Sequence, residues 1–367
     1  DATALKSGTD LQAICNDLNA YLDTLNTWFK SKNLQISAAK SSATLFTTFR
    51  GEMKKVLDIN IDGNVVPTVT DPKILGVTFD PLLTFNNHAS NLKTKLQGRN
   101  KILKALAGST WGKDKETLKS TYKAIGQSTL NYCAPIWTPN LSKSNWEELQ
   151  RGQNEALRTI LGNVKMTPID HLHSESKIMP VQEHCQMLSK QFLVQTQLPN
   201  HPNNCSLYQT KPPRTMKRTL LTEYGSEVLD KIPNEGLNSE NYKSTLKSIH
   251  TESVSLAIAK QTNNIVLNAP APNIDQTEKE LPRKTRTVLS QLRSSYSSHL
   301  QSYLHRSESP NCPDCNTELH TTKHLFNCSA RPYELTVESL WSHPVRAARF
   351  LGLDVFDPGG RTNNGDD

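Results

Sequence analysis

The chain has 367 residues and a formal net charge of +7, and its length accommodates two or three domains. Hydrophobic residues make up 35% of it, so small cores can form, and no apolar run approaches the length of a membrane span. Of the seven cysteines, four are scattered singly and three lie close together near the C-terminus, which favours a metal site over a disulfide framework. No signal peptide is visible, so we expect an intracellular protein of the nucleus or the cytoplasm, with no membrane association.

The N-terminal region predicts one helix followed by short strands. Apolar residues at helical spacing mark a helix from about residue 10 to residue 29. Residues 40–46 predict a strand, and the alternating apolar residues of 57–61 run up to Asp62-Gly63, a strong signature of a hairpin with a type I′ turn. A short apolar run at 71–80, bounded by prolines, predicts a further strand.

A long basic helix is predicted at 86–107, where leucines at helical spacing form one apolar face. From Lys93 to Lys123 the chain carries nine Lys and Arg against two acidic residues, a balance equal to the net charge of +7. Such charge on a helix is typical of a protein that binds the nucleic-acid backbone, although a solvated helix face has the same composition. The candidate contacts are Lys93, Lys101 and Lys104 opposite the leucines, Lys95 at the margin and Arg99 near the apolar face.

The rest of the chain is predicted to be helical, with long breaks. Further helices are predicted at 114–133, at 142–161 with Ser142 as the cap, at 168–175 and at 180–197, and weakly within 214–262. Residues 199–213 predict a loop, residues 263–278 a linker containing Ala-Pro-Ala-Pro, and residues 358–367 a disordered end. A short basic helix at 283–304 adds candidate nucleic-acid contacts, namely Arg283, Lys284, Arg286 and Arg293.

A Cys/His cluster near the C-terminus has the spacing of a zinc site. Cys312, Cys315, His324 and Cys328 follow the pattern C-x2-C-x8-H-x3-C, which supplies four ligands for a tetrahedral structural zinc ion. His320 is a rival ligand, but a retroviral-type knuckle would place a cysteine five residues later, where this chain has a leucine. The alternative is adjacent free cysteines beside incidental histidines. We predict a structural zinc held by the first four residues.

Other candidates for chemistry are weaker. Lys40 lies between two apolar runs, where it is a candidate phosphate contact or proton donor, although most such lysines are simply exposed. The sequence contains no nucleotide-binding glycine loop, nucleophile elbow or paired-carboxylate site.

The order of these features resembles the region after the catalytic centre of reverse transcriptases from non-LTR retrotransposons, most of all the Jockey-like (LINE-type) group. The likeness is carried by Ile74-Leu75-Gly76-Val77, by residues 149–162, and by residues 281–293 followed by Cys-Pro-x-Cys. It covers nearly the whole chain and is weakest from about residue 200 to residue 262.

The resemblance implies the fold class and the domains. We expect an α+β N-terminus, formed by the end of a polymerase palm with a β-hairpin, and then a mostly α-helical thumb and C-terminal region with a small zinc module. The implied domains are the palm end with a primer-grip-like hairpin at 1–84, thumb helices at 85–162, a helical linker region at 163–262, a linker at 263–280, the basic helix with a Cys-Cys-His-Cys zinc module at 281–345, and a tail at 346–367.

The resemblance also implies roles for single residues. Asp1 would be the last residue of the palm's Tyr/Phe-Ala-Asp-Asp motif, and Lys40 would match the lysine of the strand after that motif. Because the chain begins with Asp1 rather than Met, we expect it to be the C-terminal fragment of such a protein. Cys312, Cys315, His324 and Cys328 would match the family's C-terminal motif.

The function implied is binding of RNA and DNA as primer and template. The parent enzyme would copy element RNA into DNA, using deoxynucleotides and Mg²⁺, whereas this chain would contribute binding and a structural zinc. One alternative is a non-catalytic, zinc-stabilised helical protein derived from a mobile element that binds nucleic acid. Another is a zinc-stabilised interaction protein that binds no nucleic acid.

We expect the chain by itself to show no polymerase activity. Nucleotidyl transfer requires two metal ions held by several carboxylates, and Asp1 is the single candidate here. Primer extension on an RNA template with Mg²⁺ and deoxynucleotides should therefore give no product. Extension that is abolished by Asp1→Ala would contradict this expectation.

Overall fold

A computed structural model describes residues 2–108, 112–204, 218–303, 309–331 and 334–353. These residues are mostly helical, with two small antiparallel sheets of two strands each. None of the described helices is both long enough and apolar enough to cross a membrane. The expected α+β beginning and helical remainder are therefore present at the level of secondary structure.

The N-terminal region is one helix packed on a hairpin. Helix α1 (Leu11–Ser31) begins after Asp10, whose carboxylate accepts a hydrogen bond from the amide of Gln12 at 3.0 Å. Strands β1 (Asn60–Ile61) and β2 (Asn64–Val65) form the hairpin predicted from Asp62-Gly63. Both turn residues have positive φ, 56° and 74°, as a type I′ turn requires. The shared core of helix and hairpin contains Cys15, Leu57, Ile59, Ile61 and Val66.

The strand predicted at 40–46 is wrong. Ala38–Lys40 is instead a 3₁₀ turn, and the following segment makes one parallel bridge, between Ala43 and Thr68. The Ala43 amide donates to Pro67, and its carbonyl accepts from Val69, both at 2.9 Å. A segment that is paired at one residue cannot build a ladder, whatever its intrinsic β-preference.

The run at 71–80 folds back on itself as a second hairpin, rather than forming one strand. Strands β3 (Lys73–Ile74) and β4 (Val77–Thr78) are joined by Leu75 and Gly76, both with positive φ. The hydroxyl of Tyr132 donates to the Leu75 carbonyl at 2.6 Å. The amide of Thr78 donates to Nδ1 of His88 at 3.3 Å. Burial, reinforced by the charge of Lys95, lowers the pKa of His88 to about 4, so this acceptor is neutral at pH 7.

The main core lies between helices α2 (Asn86–Leu106) and α6 (Lys143–Leu161), which are packed closely. A Cβ at Gly152 would lie 2.6 Å from the Leu96 side chain, so this glycine permits the close crossing. Asn100 also donates to the Gly152 carbonyl at 2.9 Å. The apolar face predicted for this helix is confirmed for Leu92, Leu96 and Leu103, which are buried against α6 and its neighbours.

The middle helices follow their predicted boundaries. Asp114 caps α3 (Lys115–Tyr122), which continues through a π-helical turn at Lys123–Gln127 into α4 (Ser128–Asn131). Helix α5 (Ala134–Trp137) follows. Ser142 caps α6 as predicted, and Gly162 ends it with φ 73°.

Helices α7 (Ile169–Ser176) and α8 (Val181–Thr196) begin directly after prolines. The weakly patterned region contains α9 (Leu220–Leu229) and α10 (Tyr242–Ala259). The loop predicted at 199–213 lies partly outside the described residues.

The C-terminal region has its own core, formed in part by the segment predicted as a linker. Val266 is 1% exposed in this core, Glu278 is buried, and Gln276–Glu280 is a 3₁₀ turn, so the segment at 263–280 is packed rather than extended. Helix α11 (Arg283–Arg293) ends well before the predicted residue 304. The other helices are α12 (Thr322–Asn327), α13 (Ser339–Ser342) and α14 (Pro344–Phe350). The disorder predicted for 358–367 falls outside the described residues.

Candidate metal centre and basic surfaces

The four predicted zinc ligands lie together in the structure. The ligand atoms of Cys312, Cys315, His324 and Cys328 all lie within 4.8 Å of one another. The sulfurs of Cys312 and Cys328 are 3.8 Å apart, and the Cys315 sulfur is 3.3 Å from Nε2 of His324. Two thiolates bound to zinc at about 2.3 Å with a tetrahedral angle lie about 3.8 Å apart. The group therefore has the donor types and the spacing of a structural zinc site.

Local hydrogen bonds explain how the sequence brings these side chains together. The amide of Cys312 donates to the Glu318 carbonyl at 2.7 Å, and the amide of Asn316 donates to the Cys312 carbonyl at 2.8 Å. Thr321 then caps α12 by accepting from the His324 amide at 3.2 Å. A tight loop thus supplies two cysteines, and a short capped helix presents His324 and ends at Cys328.

The thiols of this group have shifted pKa values. Hydrogen bonds from the Thr317 side chain and amide, and from the Glu318 amide, lower the pKa of Cys315 to about 6. Burial, in contrast, raises the pKa of Cys328. Since metal binding requires thiolates, the lowered pKa of Cys315 favours binding of a cation, and the raised pKa of Cys328 opposes it.

His320 lies outside the group. Its Nδ1 accepts a hydrogen bond from the amide of Gln301 at 3.0 Å, and its carbonyl accepts from the hydroxyl of Ser302 at 2.7 Å. The side chain is buried, and burial lowers its pKa. His320 therefore links the cysteine-containing loop to the segment around Gln301 and Ser302.

The predicted lysine face of α2 is divided in the structure. Lys93 forms an ion pair with Glu148 at 2.6 Å, and Lys104 pairs with Glu155, both partners belonging to α6. Lys95, Arg99 and Lys101 are exposed and make no ion pair within the described part of the chain. Arg99 was expected near the apolar face, yet it points to solvent. The unpaired positive charge of α2 is therefore carried by these three residues.

The arginines of α11 are largely used inside the protein. Arg283 donates to the carbonyls of Lys113, Thr159 and Ile160 at 3.0–3.4 Å, which places a cation at the C-terminal end of α6. Arg286 is buried, and its Nε has no hydrogen-bond partner among the described residues. Lys284 is exposed.

Arg293 is fully buried, so its prediction as a nucleic-acid contact is wrong. Its guanidinium forms ion pairs with Glu175, at 3.0 Å, and with Glu278, and donates to the Leu340 carbonyl. A guanidinium with no exposed surface and these partners cannot reach a phosphate in this fold. Lys115 and His171 also contact Glu175, at 3.4 and 3.1 Å, which completes a buried charge cluster.

Sequence reasoning missed this buried charge cluster, defined as Lys115, His171, Glu175, Glu278 and Arg293. Its members come from four separate elements and have no common motif. Burial raises the pKa of Glu175, but the charges of Lys115 and Arg293 lower it more, so it lies well below its usual value. The cluster joins α3 and α7 to the C-terminal region.

Of the two remaining candidates from the sequence, one lies within the described residues. Lys40 is exposed at the end of its 3₁₀ turn. Asp1 lies outside the described residues.

A cavity of about 680 Å³ lies between α7, α10 and the loop at 261–271, and about half of the residues that line it are aliphatic. None of the predicted metal or nucleic-acid residues lines it.

The chain is similar to several polymerases of mobile elements. It is 26% identical over 193 residues to "Probable RNA-directed DNA polymerase from transposon X-element" of Drosophila melanogaster, which covers 52% of this chain and 21% of that protein. It is 21% identical over 238 residues to "RNA-directed DNA polymerase from mobile element jockey" of Drosophila funebris, which covers 63% of this chain and 25% of that protein. The chain is a relative of the Jockey-like reverse transcriptases.

The predicted resemblance to Jockey-like non-LTR retrotransposons is thereby confirmed, over 50–63% of the chain in these three matches and not over nearly the whole of it. A third relative, from transposon BS of Drosophila melanogaster, is 26% identical over 189 residues, or 50% of this chain and 20% of that protein. The chain thus spans a quarter or less of the length of these Jockey-like relatives. No family model matches the chain, and no solved structure matches it.

Proposed function

We propose that this chain binds primer–template nucleic acid as part of the RNA-directed DNA polymerase machinery of a Jockey-like element. The observation that carries the proposal is the unpaired charge of Lys95, Arg99 and Lys101 on α2, in a chain whose relatives are named as RNA-directed DNA polymerases. Exposed cations of this kind bind phosphates and release counterions. Deoxynucleotides and Mg²⁺ would be used by the polymerase as a whole.

The domain assignments follow from the same proposal. Residues 1–84 would form the end of the palm, with the β3–β4 hairpin as a primer grip, and residues 85–162 would form the thumb helices. The contacts of Tyr132 and His88 with this hairpin support the assignment, because they hold the hairpin against the proposed thumb. RNA and DNA would meet the chain in the nucleus or the cytoplasm.

Zinc is the metal proposed for the Cys312, Cys315, His324 and Cys328 group. Three sulfur donors and one imidazole at finger-like spacing suit zinc better than oxygen-preferring cations such as Mg²⁺. With four protein ligands, no coordination position would be open for catalysis, so the role would be structural. The ion would stabilise the C-terminal region that packs on α11.

The proposal predicts which lysines contribute to the salt dependence of binding. Replacing Lys95, Arg99 and Lys101 together by glutamine should reduce the slope of log Kobs against log salt by about two to three units, because each lost phosphate contact removes about one. The slope is measured by fluorescence anisotropy with an RNA–DNA hybrid across salt concentrations.

The matched control replaces Lys93 and Lys104 by glutamine. These lysines lie on the same helix but already pair with Glu148 and Glu155, so the slope should change by less than about one unit. If the control lowers the slope and the triple variant does not, the contact surface faces α6 instead. If neither variant changes the slope, α2 is not the nucleic-acid site.

A further inference from the structure

Glu318 contacts the proposed metal group through its side chain and through its backbone. Its side-chain Oε2 lies 3.0 Å from Nδ1 of His324, and its carbonyl accepts the amide of Cys312 at 2.7 Å. The Glu318 carboxylate is largely exposed, whereas the His324 side chain is buried. A solvent-facing carboxylate thus reaches inward to the one imidazole of the group.

The position of this contact determines which nitrogen of His324 is free to bind. Nε2 faces the Cys315 sulfur at 3.3 Å, so it is the nitrogen directed into the group. A neutral imidazole that binds metal through Nε2 carries its proton on Nδ1, where it can donate to an acceptor. The Glu318 carboxylate is that acceptor, and it also fixes the orientation of the ring.

We propose that Glu318 is the positioning residue of the metal centre, because it selects the His324 tautomer whose Nε2 binds the ion. This inference rests on the proposed zinc site. Carboxylates that accept the second N–H of a ligating histidine orient the ring and raise its basicity, and their loss costs about 10- to 100-fold in metal affinity.

Asp314 provides a matched control for charge. It lies between Cys312 and Cys315 in the sequence, but its carboxylate accepts from Nε of Arg331 at 2.6 Å and contacts none of the four ligand side chains. Asp314→Asn therefore removes one negative charge from the same loop and leaves the contact with His324 in place.

The experiment compares the full-length chain with three variants, Glu318→Ala, Glu318→Gln and Asp314→Asn. Zinc affinity is measured by competition with a chromophoric chelator. We expect Glu318→Ala to weaken binding about 10- to 100-fold. Glu318→Gln should weaken it less, since the amide oxygen still accepts from Nδ1, and Asp314→Asn should weaken it least.

A second measurement follows the tautomer directly. The ring nitrogens of His324, followed by ¹⁵N NMR, should show a single Nδ1–H tautomer in the zinc-loaded wild type. The metal-free form should show a mixture of tautomers in Glu318→Ala and mainly the Nδ1–H tautomer in the wild type.

The possible outcomes separate this inference from the zinc proposal. Equal losses in Glu318→Ala and Asp314→Asn would show an effect of charge alone and would overturn the positioning role. Zinc binding by Glu318→Ala as tight as that of the wild type would do the same and would leave the zinc centre intact. If the wild type binds no zinc, the centre and the role of Glu318 fail together. Cobalt(II) spectra with unchanged thiolate charge-transfer bands in Glu318→Ala would show that the cysteines still bind, so that the loss is assigned to His324.

Discussion

Cys328→Ser is expected to reduce bound zinc from one ion per chain to none and to unfold the segment around residues 309–331. Within this described segment, regular structure consists of the six-residue α12 and one antiparallel bridge between Asn311 and Leu319. This small amount of regular hydrogen-bonded structure is not enough to keep the segment folded without a metal ion. Zinc binding in small modules supplies about 10–16 kcal/mol at pH 7, and this free energy is also folding free energy. Metal content by mass spectrometry and thermal unfolding followed by circular dichroism, each with and without a chelator, measure the effect.

The controls for the zinc experiment come from the same chain. Cys133→Ser should keep one zinc per chain, because Cys133 is not part of the group. His324→Ala should lower zinc affinity much more than His320→Ala, since only a ligand loses a coordinate bond. Because the thiolates must be deprotonated, zinc should bind more weakly as the pH falls. If His320→Ala empties the site and His324→Ala does not, the ligand assignment is wrong. A wild-type chain that is fully folded and binds no zinc would refute the zinc proposal.

Arg293→Ala is expected to lower the free energy of unfolding by about 3–5 kcal/mol, the usual effect of removing one partner from a buried ion pair. The variant leaves Glu278 and Glu175 buried without their guanidinium partner, and it frees the Leu340 carbonyl that Arg293 now satisfies. Urea unfolding measures the change. Lys279→Ala, at an exposed residue next to Glu278, should change stability by less than about 0.5 kcal/mol.

A double variant and the pH dependence test the reason for this effect. Arg293→Met with Glu278→Gln should recover part of the loss, because one unpaired charge fewer remains buried. The pKa of Glu175 is depressed in the folded state, so its contribution to stability is present above its unfolded value of 4.5 and is lost as the pH falls through the folded value. The wild type should therefore lose stability below about pH 4.5, and Arg293→Ala should show a smaller acid-dependent loss. Equal stability of Arg293→Ala and the wild type would show that the cluster does not hold the C-terminal region.

Local signals in the sequence were sufficient where the determining contacts are a few residues apart. Ser142 and Gly162 set both ends of α6, since a cap bonds to amides within the first turn and a glycine relieves the left-handed turn at the end. Asp62-Gly63 determined the first hairpin for the same reason. The spacing of Cys312, Cys315, His324 and Cys328 also predicted their grouping, because a tight loop and one capped helical turn connect them.

Sequence patterns were insufficient where a residue's role depends on distant neighbours. Helical spacing placed Lys93, Lys101 and Lys104 on one face, but it could not show that Glu148 and Glu155 of α6 would neutralise two of them. The strand predicted at 40–46 failed because a β-ladder needs a neighbouring strand, and the fold provides one bridge. The run at 71–80 became a hairpin, with Leu75 and Gly76 in a turn that is contacted by Tyr132, the residue directly after α4.

The sequence by itself determined the boundaries of α2, α6, α7 and α8, the first hairpin, the four-residue metal group and the relationship to Jockey-like reverse transcriptases, because each depends on short-range spacing or on sequence likeness. The tertiary structure alone decided which cations remain available to a partner. Arg293 looks like a surface arginine of a basic helix, yet packing brings Glu175, 118 residues away in the chain, to its guanidinium. A buried charge is stable only beside its counter-charges, and those are supplied by the fold and not by the neighbouring sequence.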